Sequence, residues 1–368
     1  MKKNNSDYPE ELINAIKIVK GDNYKDEIRR DIDPTYLKRE LQYSILSYIK
    51  PSKFDGKYLL DFGCGTGSSS INLSRLLNHT KIIGIDNDET LINLANQKLT
   101  HYGYDNLKFF NSNQFLDNDS NKYDFILLSA VHEHLTKKER ITLMPLLWKK
   151  LKSNGIIFIN QTPYRWSLFE NHTSNLPFIN YVSDSMAFNY AKRFSRRVSK
   201  NETWHELLKR GIRGSTVDEI ISQLNLDNND DYLPSLVKPK NYKINDMADL
   251  WLKLSDHHKT NPLKRLFWLI NKVSQKIFGL QCLPYINIAV KKIELKSKEI
   301  SKYDLLVPSI VPVWKNRQSN YSLGGFPLQI NSLTQIFKRI MIALPLSNSN
   351  NPSGVIKYEK DNIDLLPL

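Results

Sequence analysis

Five short apolar runs punctuate the first half of the chain: Tyr58 to Phe62, Lys81 to Ile85, Leu107 to Phe110, Tyr123 to Ser129 and Gly155 to Asn160. Runs of this length, bounded by turn residues, read as buried strands. The stretches between them read as helices, and such alternation predicts a parallel sheet covered on both faces. Ahead of the first run, residues 9–20 and 35–49 carry the spacing of two amphipathic helices, linked to the sheet by Pro51 to Gly56. Far downstream, Ser215-Thr216-Val217-Asp218-Glu219 reads as a helix start, with Ser215 or Thr216 as N-cap and Asp218 or Glu219 reaching back. That helix is expected to run to Asn225, with a turn at Asn228 to Asp231. Leu233 to Val237 and Ile286 to Lys292 read as two further strands, the latter with apolar residues on alternate positions. Helices near 246–257 and 263–278 form an insertion between them. Residues from about 296 on have no place in this alternation, and Ser347 to Gly354 is a low-complexity run expected to be mobile.

The first strand runs straight into a glycine-rich turn, Asp61-Phe62-Gly63-Cys64-Gly65-Thr66-Gly67, with a helical stretch behind it. Alternating glycines supply positive φ and let a ligand approach the backbone, and a following helix offers free N–H groups. A dinucleotide-binding turn requires G-x-G-x-x-G, and here the third glycine comes one residue early. Asp86 ends the second strand, where an acid can accept both hydroxyls of a ribose, and Asn87 follows it. The fourth strand begins Tyr123-Asp124 and ends at Ser129, followed by Ala130-Val131-His132-Glu133-His134-Leu135. Over residues 30–165 this sequence resembles the class I S-adenosylmethionine-dependent methyltransferases, and the segment after the fifth strand is similar to that of a bacterial subgroup related to ubiquinone-type and surface-glycan methyltransferases.

The resemblance implies a Rossmann-like seven-stranded mixed sheet, with an antiparallel last strand inserted beside the fifth. It implies S-adenosylmethionine as cofactor, held by Asp61, Gly63, Cys64, Gly65, Gly67, Asp86, Asn87, Asn113, Gln114 and Ser129. Members of the family often have an aspartate near residue 113 for the adenine amino group; the amide oxygen of Asn113 can accept the same bond. The domain is expected over 51–295, with capping helices over 1–50, a lid insertion over about 161–205, a helical insertion over about 246–280 and an extension over 296–368.

Ligands of open α/β sheets sit outside the carboxyl ends of the strands, so the acceptor is expected near the fourth and fifth. The segment after the fifth strand interleaves aromatic residues with Arg165, Glu170 and His172, a composition suited to a pocket lid. Tyr164, Arg165 and Tyr181 are its candidate substrate contacts. If the acceptor is a hydroxyl, His172 is the candidate base, since imidazole titrates near neutrality, with Glu170 orienting it or binding substrate hydroxyls. His132 and His134 stand two apart rather than at the H-E-x-x-H spacing, so no metal site is expected and a structural role is assigned to them.

Composition changes the picture little. A formal charge of +14 from 52 basic and 38 acidic side chains gathers at Lys192 to Lys200 and between Lys238 and Lys298. Neither region carries an RNA-recognition signature, a zinc knuckle or a helix-turn-helix pattern, so a solvated basic face is the expectation. Cys64 and Cys282 suggest no disulfide framework. The opening residues lack a signal-peptide core and no apolar stretch approaches the ~20 residues of a membrane span, so the chain reads as cytoplasmic. Residues 263–278 set an apolar stripe against Lys264, Arg265, Lys272 and Lys276, a basic amphipathic helix that can lie on an anionic bilayer. The expected activity is methyl transfer to a small-molecule, lipid or glycan-precursor acceptor. The alternatives are a non-catalytic scaffold that kept the fold and, on charge alone, a nucleic-acid methyltransferase.

Overall fold

The computed structural model describes residues 8–112, 115–116, 122–226, 232–255, 261–278 and 283–294, together with 305–308, 313–316, 319–323, 326–334, 337, 339–347, 355–358 and 363–367. It divides into two compact units, Met1–Glu294 and Leu295–Leu368. The first contains strands β1 (Tyr58–Phe62), β2 (Lys81–Asp86), β3 (Leu107–Asn111), β4 (Tyr123–Ser129), β5 (Leu151–Pro163), β6 (Phe169–Glu170), β7 (Leu176–Pro177), β8 (Tyr232–Val237) and β9 (Tyr285–Glu294). Seven of them form one sheet in the order β3-β2-β1-β4-β5-β9-β8, while β6 and β7 pair as a separate hairpin. Neighbours from β3 to β5 run parallel. β9 is antiparallel to both β5 and β8. This is the mixed seven-stranded arrangement expected, and strand order reverses between β1 and β4, where a crevice opens at the carboxyl edge.

Helices α1 (Glu10–Lys20), α2 (Tyr24–Ile32) and α3 (Leu37–Leu46) precede the sheet; α4 (Ser68–Leu76), α5 (Glu89–Tyr102) and α6 (Lys137–Lys150) connect its strands. Successive strand side chains point to opposite faces, so Leu59 and Leu60 enter different cores. Leu59, Phe125, Leu127 and Phe158 pack with Leu41, Ile45, Ile71 and Ala95 on one side. Leu60, Ile126, Leu128 and Ile157 pack with Met144, Leu147, Trp148 and Ile220 on the other. Each fully buried Leu or Ile contributes about 1.5–3 kcal/mol, enough to fix which face every strand presents.

The N-terminal region holds three helices where the periodicity indicated two. α2 is too charged to announce itself by an apolar stripe, because it docks through ions. Lys98 of α5 is fully buried and lies 2.6 Å from Glu27 Oε1 and 2.8 Å from Asp31 Oδ2, both on α2. Thr66 and Ser68 hydroxyls also donate to Glu27.

Beyond β7 come α7 (Asp184–Phe194), α8 (Trp204–Lys209) and α9 (Val217–Leu224). Thr216 caps α9 by accepting from the Glu219 N–H, while Glu219 Oε2 accepts the Ser215 hydroxyl rather than reaching the cap backbone. α10 (Met247–Ser255) and α11 (Pro262–Phe278) fill the insertion before β9. The expected turn at Asn228 to Asp231 lies outside the described residues. The second unit, which the sequence left unassigned, has its own core of Val313, Ile330, Ile340, Ile342 and Leu344 beneath a three-stranded and a four-stranded sheet. Residues 348–354 of the low-complexity run lie outside the described residues.

Candidate functional site

The glycine turn sits between the carboxyl ends of β1 and β2. Gly63 and Cys64 both donate to the Ile85 carbonyl, and Gly67 donates to Cys64. Gly63 and Gly67 have φ of +74° and +80°, and an added Cβ would come within 2.5 Å of Val131 or 2.6 Å of Phe109. Those two glycines are required by packing. Gly65 differs: its φ is +55° with nothing within 4 Å of a Cβ position, so the turn is open there. Asp86 Oδ2 accepts from the Gly65 N–H at 2.9 Å, and Oδ1 accepts from Asp88 N. The acid at the tip of β2 and the apex of the turn therefore face one another across the crevice. Asp61 is buried beneath, accepting the Ser69 and Ser70 hydroxyls at 2.6 Å each. Burial raises its pKa to about 6 against those hydrogen bonds. Burial likewise pushes the Cys64 thiol up, so it stays neutral in the turn. Asn87 is exposed, and its carbonyl accepts from Asn111 at 3.5 Å. Ser129 ends β4 opposite Asn160 of β5. Asn113 and Gln114 lie outside the described residues.

The lid residues gather differently from the expectation. Glu170 is buried, and its carboxylate is consumed by its own loop. Oε1 accepts from the N–H groups of His172 and Thr173, and Oε2 from the N–H and hydroxyl of Ser174. It holds His172 through the backbone N–H rather than by a hydrogen bond to the ring. The His172 ring stands 5.8 Å from that of His134 and 6.3 Å from that of Tyr285. Burial, then the neighbouring His134, lowers its pKa, leaving a neutral imidazole at pH 7.

Tyr164 lines a cavity of about 320 Å³ with Trp166, Val217, Met247 and Tyr285. The Arg165 guanidinium lies over the Trp166 ring at 5.4 Å, and the Tyr181 hydroxyl donates to the Trp166 carbonyl. Arg165 and Tyr181 thus frame Trp166 and are absent from the lining of that cavity.

Sequence reasoning passed over Glu133. The 3₁₀ turn His132–His134 follows β4 directly. His132 is buried and bonded to Gln223, and burial lowers its pKa to about 3, so its role is structural. Glu133 is equally buried, but burial raises its pKa to about 7. Ligand atoms of Glu133, His134 and His172 lie within 4.8 Å of one another. The expectation of no metal site considered only the two histidines of the turn; the third member arrives from the lid. Two non-glycine residues with positive φ flank this edge, Ala130 at 54° and Gln161 at 61°. Only their positions next to Glu-His and at the lid's start hinted at such a bend.

Residues 53–212 match a family model described as a methyltransferase domain. A carboxy-S-adenosyl-L-methionine synthase of Campylobacter jejuni is 27% identical over 139 residues, which is 38% of this chain and 57% of that protein. An uncharacterised protein of Rickettsia prowazekii is 25% identical over 114 residues, 30% of this chain and 45% of its own length. The chain spans about half the length of these two relatives. A crystal structure of the plantazolicin methyltransferase BpumL, in complex with a monoazolic desmethylPZN analog and SAH, aligns with TM-score 0.41 and 16% identity over 77% of this chain and 97% of that one. The matched methyltransferase-domain region holds the parallel strands β1 to β5 and the glycine turn bonded to Asp86.

Proposed function

We propose that this chain binds S-adenosylmethionine and transfers its methyl group to a small-molecule, lipid or glycan-precursor acceptor. The observation that carries the reading is the open apex of the glycine turn at Gly65, with Asp86 across from it. An adenosine-containing cofactor lying there meets an acid for its ribose and the N-terminal turn of α4 for its amino-acid end. The Campylobacter relative is named for a product that is itself an S-adenosylmethionine derivative, which accords with such a cleft.

Methyl transfer is an in-line displacement, so the protein's task is alignment of acceptor, methyl carbon and sulfur. The aromatic cavity beside Tyr164 and Tyr285 suits a compact, partly apolar acceptor, consistent with the ubiquinone and surface-glycan type of substrate. Activation of a hydroxyl acceptor falls to the cluster of Glu133, His134 and His172 rather than to His172 paired with Glu170. The test is incubation with methyl-labelled S-adenosylmethionine and fractionated extracts, followed by identification of the labelled product. Label in a small molecule, lipid or glycan precursor is the expected result. Absence of SAH binding by calorimetry would overturn the reading in favour of a scaffold.

A further inference from the structure

Three features surround the Glu133–His134–His172 cluster. The first is a buried carboxyl oxygen without a donor. Glu133 is 0% exposed, yet among the described residues its Oε1 has no hydrogen-bond partner, and Oε2 receives a long bond from the Thr162 hydroxyl at 3.4 Å. Arg140, the nearby cation, spends its guanidinium on the carbonyls of His132, Glu133 and Gly214. A buried carboxylate oxygen without a donor is costly unless something cationic meets it.

The second is a fixed tautomer. His134 Nδ1 lies 2.7 Å from the Lys209 carbonyl, which can only accept, so the proton is on Nδ1. Its Nε2 lies 3.8 Å from Glu133 Oε1. A backbone carbonyl holding the far nitrogen of a histidine is the usual support of a metal ligand. The third is a cleared floor. Gly211 has φ +89°, and an added Cβ would press at 3.1 Å on both Glu133 and His172.

We propose that Glu133, His134 and His172 bind one divalent transition-metal ion of the zinc class. Two imidazole nitrogens and one carboxylate oxygen form a donor set that zinc accepts with a position left open. Magnesium and calcium prefer all-oxygen surroundings. The His134 side chain is 47% exposed, so the open position faces solvent. Ligands at about 2.0–2.2 Å from an ion stand roughly 3–3.5 Å apart. Side-chain rotation of His172 on its loop supplies the small contraction needed from the present spacing.

The role of the ion, though not its binding, rests on the methyl-transfer reading. An acceptor hydroxyl in the open position has its pKa lowered and gives its proton to solvent. The oxygen then forms the new bond to the methyl carbon, the carbon–sulfur bond breaks onto sulfur, and SAH leaves.

The test uses untagged full-length protein stripped with a chelator and titrated with Zn²⁺ against a chromophoric competitor, with Co²⁺ spectra in parallel. The expected result is one ion per chain, with visible Co²⁺ bands. His134→Gln, His172→Gln and Glu133→Gln are each expected to weaken binding by at least about 100-fold, above the range of an outer-shell change. His205→Ala on exposed α8 is expected to leave it unchanged. Thermal melting of each variant identifies any that fail to fold, and the remaining variants then decide. Absence of stoichiometric zinc, or binding indifferent to these variants, overturns the site. SAH calorimetry on the same samples separates the two ideas: SAH binding without zinc binding sinks the metal site alone, and zinc binding without SAH binding sinks the cofactor reading alone.

Discussion

At the scale of the residue, the cofactor cleft depends on a few side chains with unequal duties. Gly63 and Gly67 are held by contacts beneath them, Gly65 by its backbone angle alone. Replacing Asp86 removes an acceptor without disturbing the core, since the residue lies at a strand tip. Asp86→Ala is expected to weaken SAH by about 1.5–3 kcal/mol, the range for hydrogen bonds to a charged group, as read by calorimetry. Undiminished affinity would remove Asp86 from the site. Glu170 has the opposite character. Its bonds tie three consecutive N–H groups into the loop, so Glu170→Ala is expected to melt the protein at lower temperature while SAH affinity holds.

At the scale of the element, α2 acts as a clamp. Burial alone would raise the Glu27 carboxyl, but the Lys98 ammonium and the Thr66 and Ser68 hydroxyls outweigh it and hold the pKa at about 2, against an ordinary 4.5. A depressed carboxylate contributes stability above its unfolded pKa and loses it as pH falls through its folded one. The contribution, on the order of 2–3 kcal/mol, is thus complete above about pH 4.5 and disappears toward pH 2. Glu27→Gln is expected to lower stability at pH 7 and to flatten the acid limb of a denaturation series. The helix α11 presents a different surface. It docks on α10 through Phe267 against Trp251 and through Lys272 and Trp268 to Asp249. Leu263, Leu266, Ile270 and Ile277 stay more than half exposed. The apolar stripe read from the sequence therefore faces mostly outward among its described side chains, with Phe267 turned to the domain. No described helix is long and apolar enough to cross a membrane. With Lys264, Arg265 and Lys276 beside it, this face is expected to bind anionic vesicles at moderate salt. Equal sedimentation with neutral vesicles, or none with either, would contradict that.

At the scale of the whole molecule, the glycine turn, Asp86, the lid and the buried cluster all belong to the first unit, and the second has its own core. Removal of residues 295–368 is expected to leave SAH affinity unchanged, measured by calorimetry on the shortened chain. A loss of binding would assign the second unit a part in the cofactor cleft.

Short stretches of the chain specify the seven strands, the glycine turn, the acid at the tip of the second strand and a capped helix start at Ser215 or Thr216. These are local properties: apolar runs, backbone angles and caps are written within a few consecutive residues. The sequence did not reveal α2, whose hold on the domain is a set of ion pairs across 71 residues of chain, with no apolar period to detect. Nor did it reveal that Glu170 is spent inside its own loop, or that Glu133 and His134 meet His172. Composition cannot say whether a carboxylate finds its donors nearby or faces an imidazole from another loop. Only the tertiary structure brings those partners within reach, because burial and proximity are properties of the packed chain.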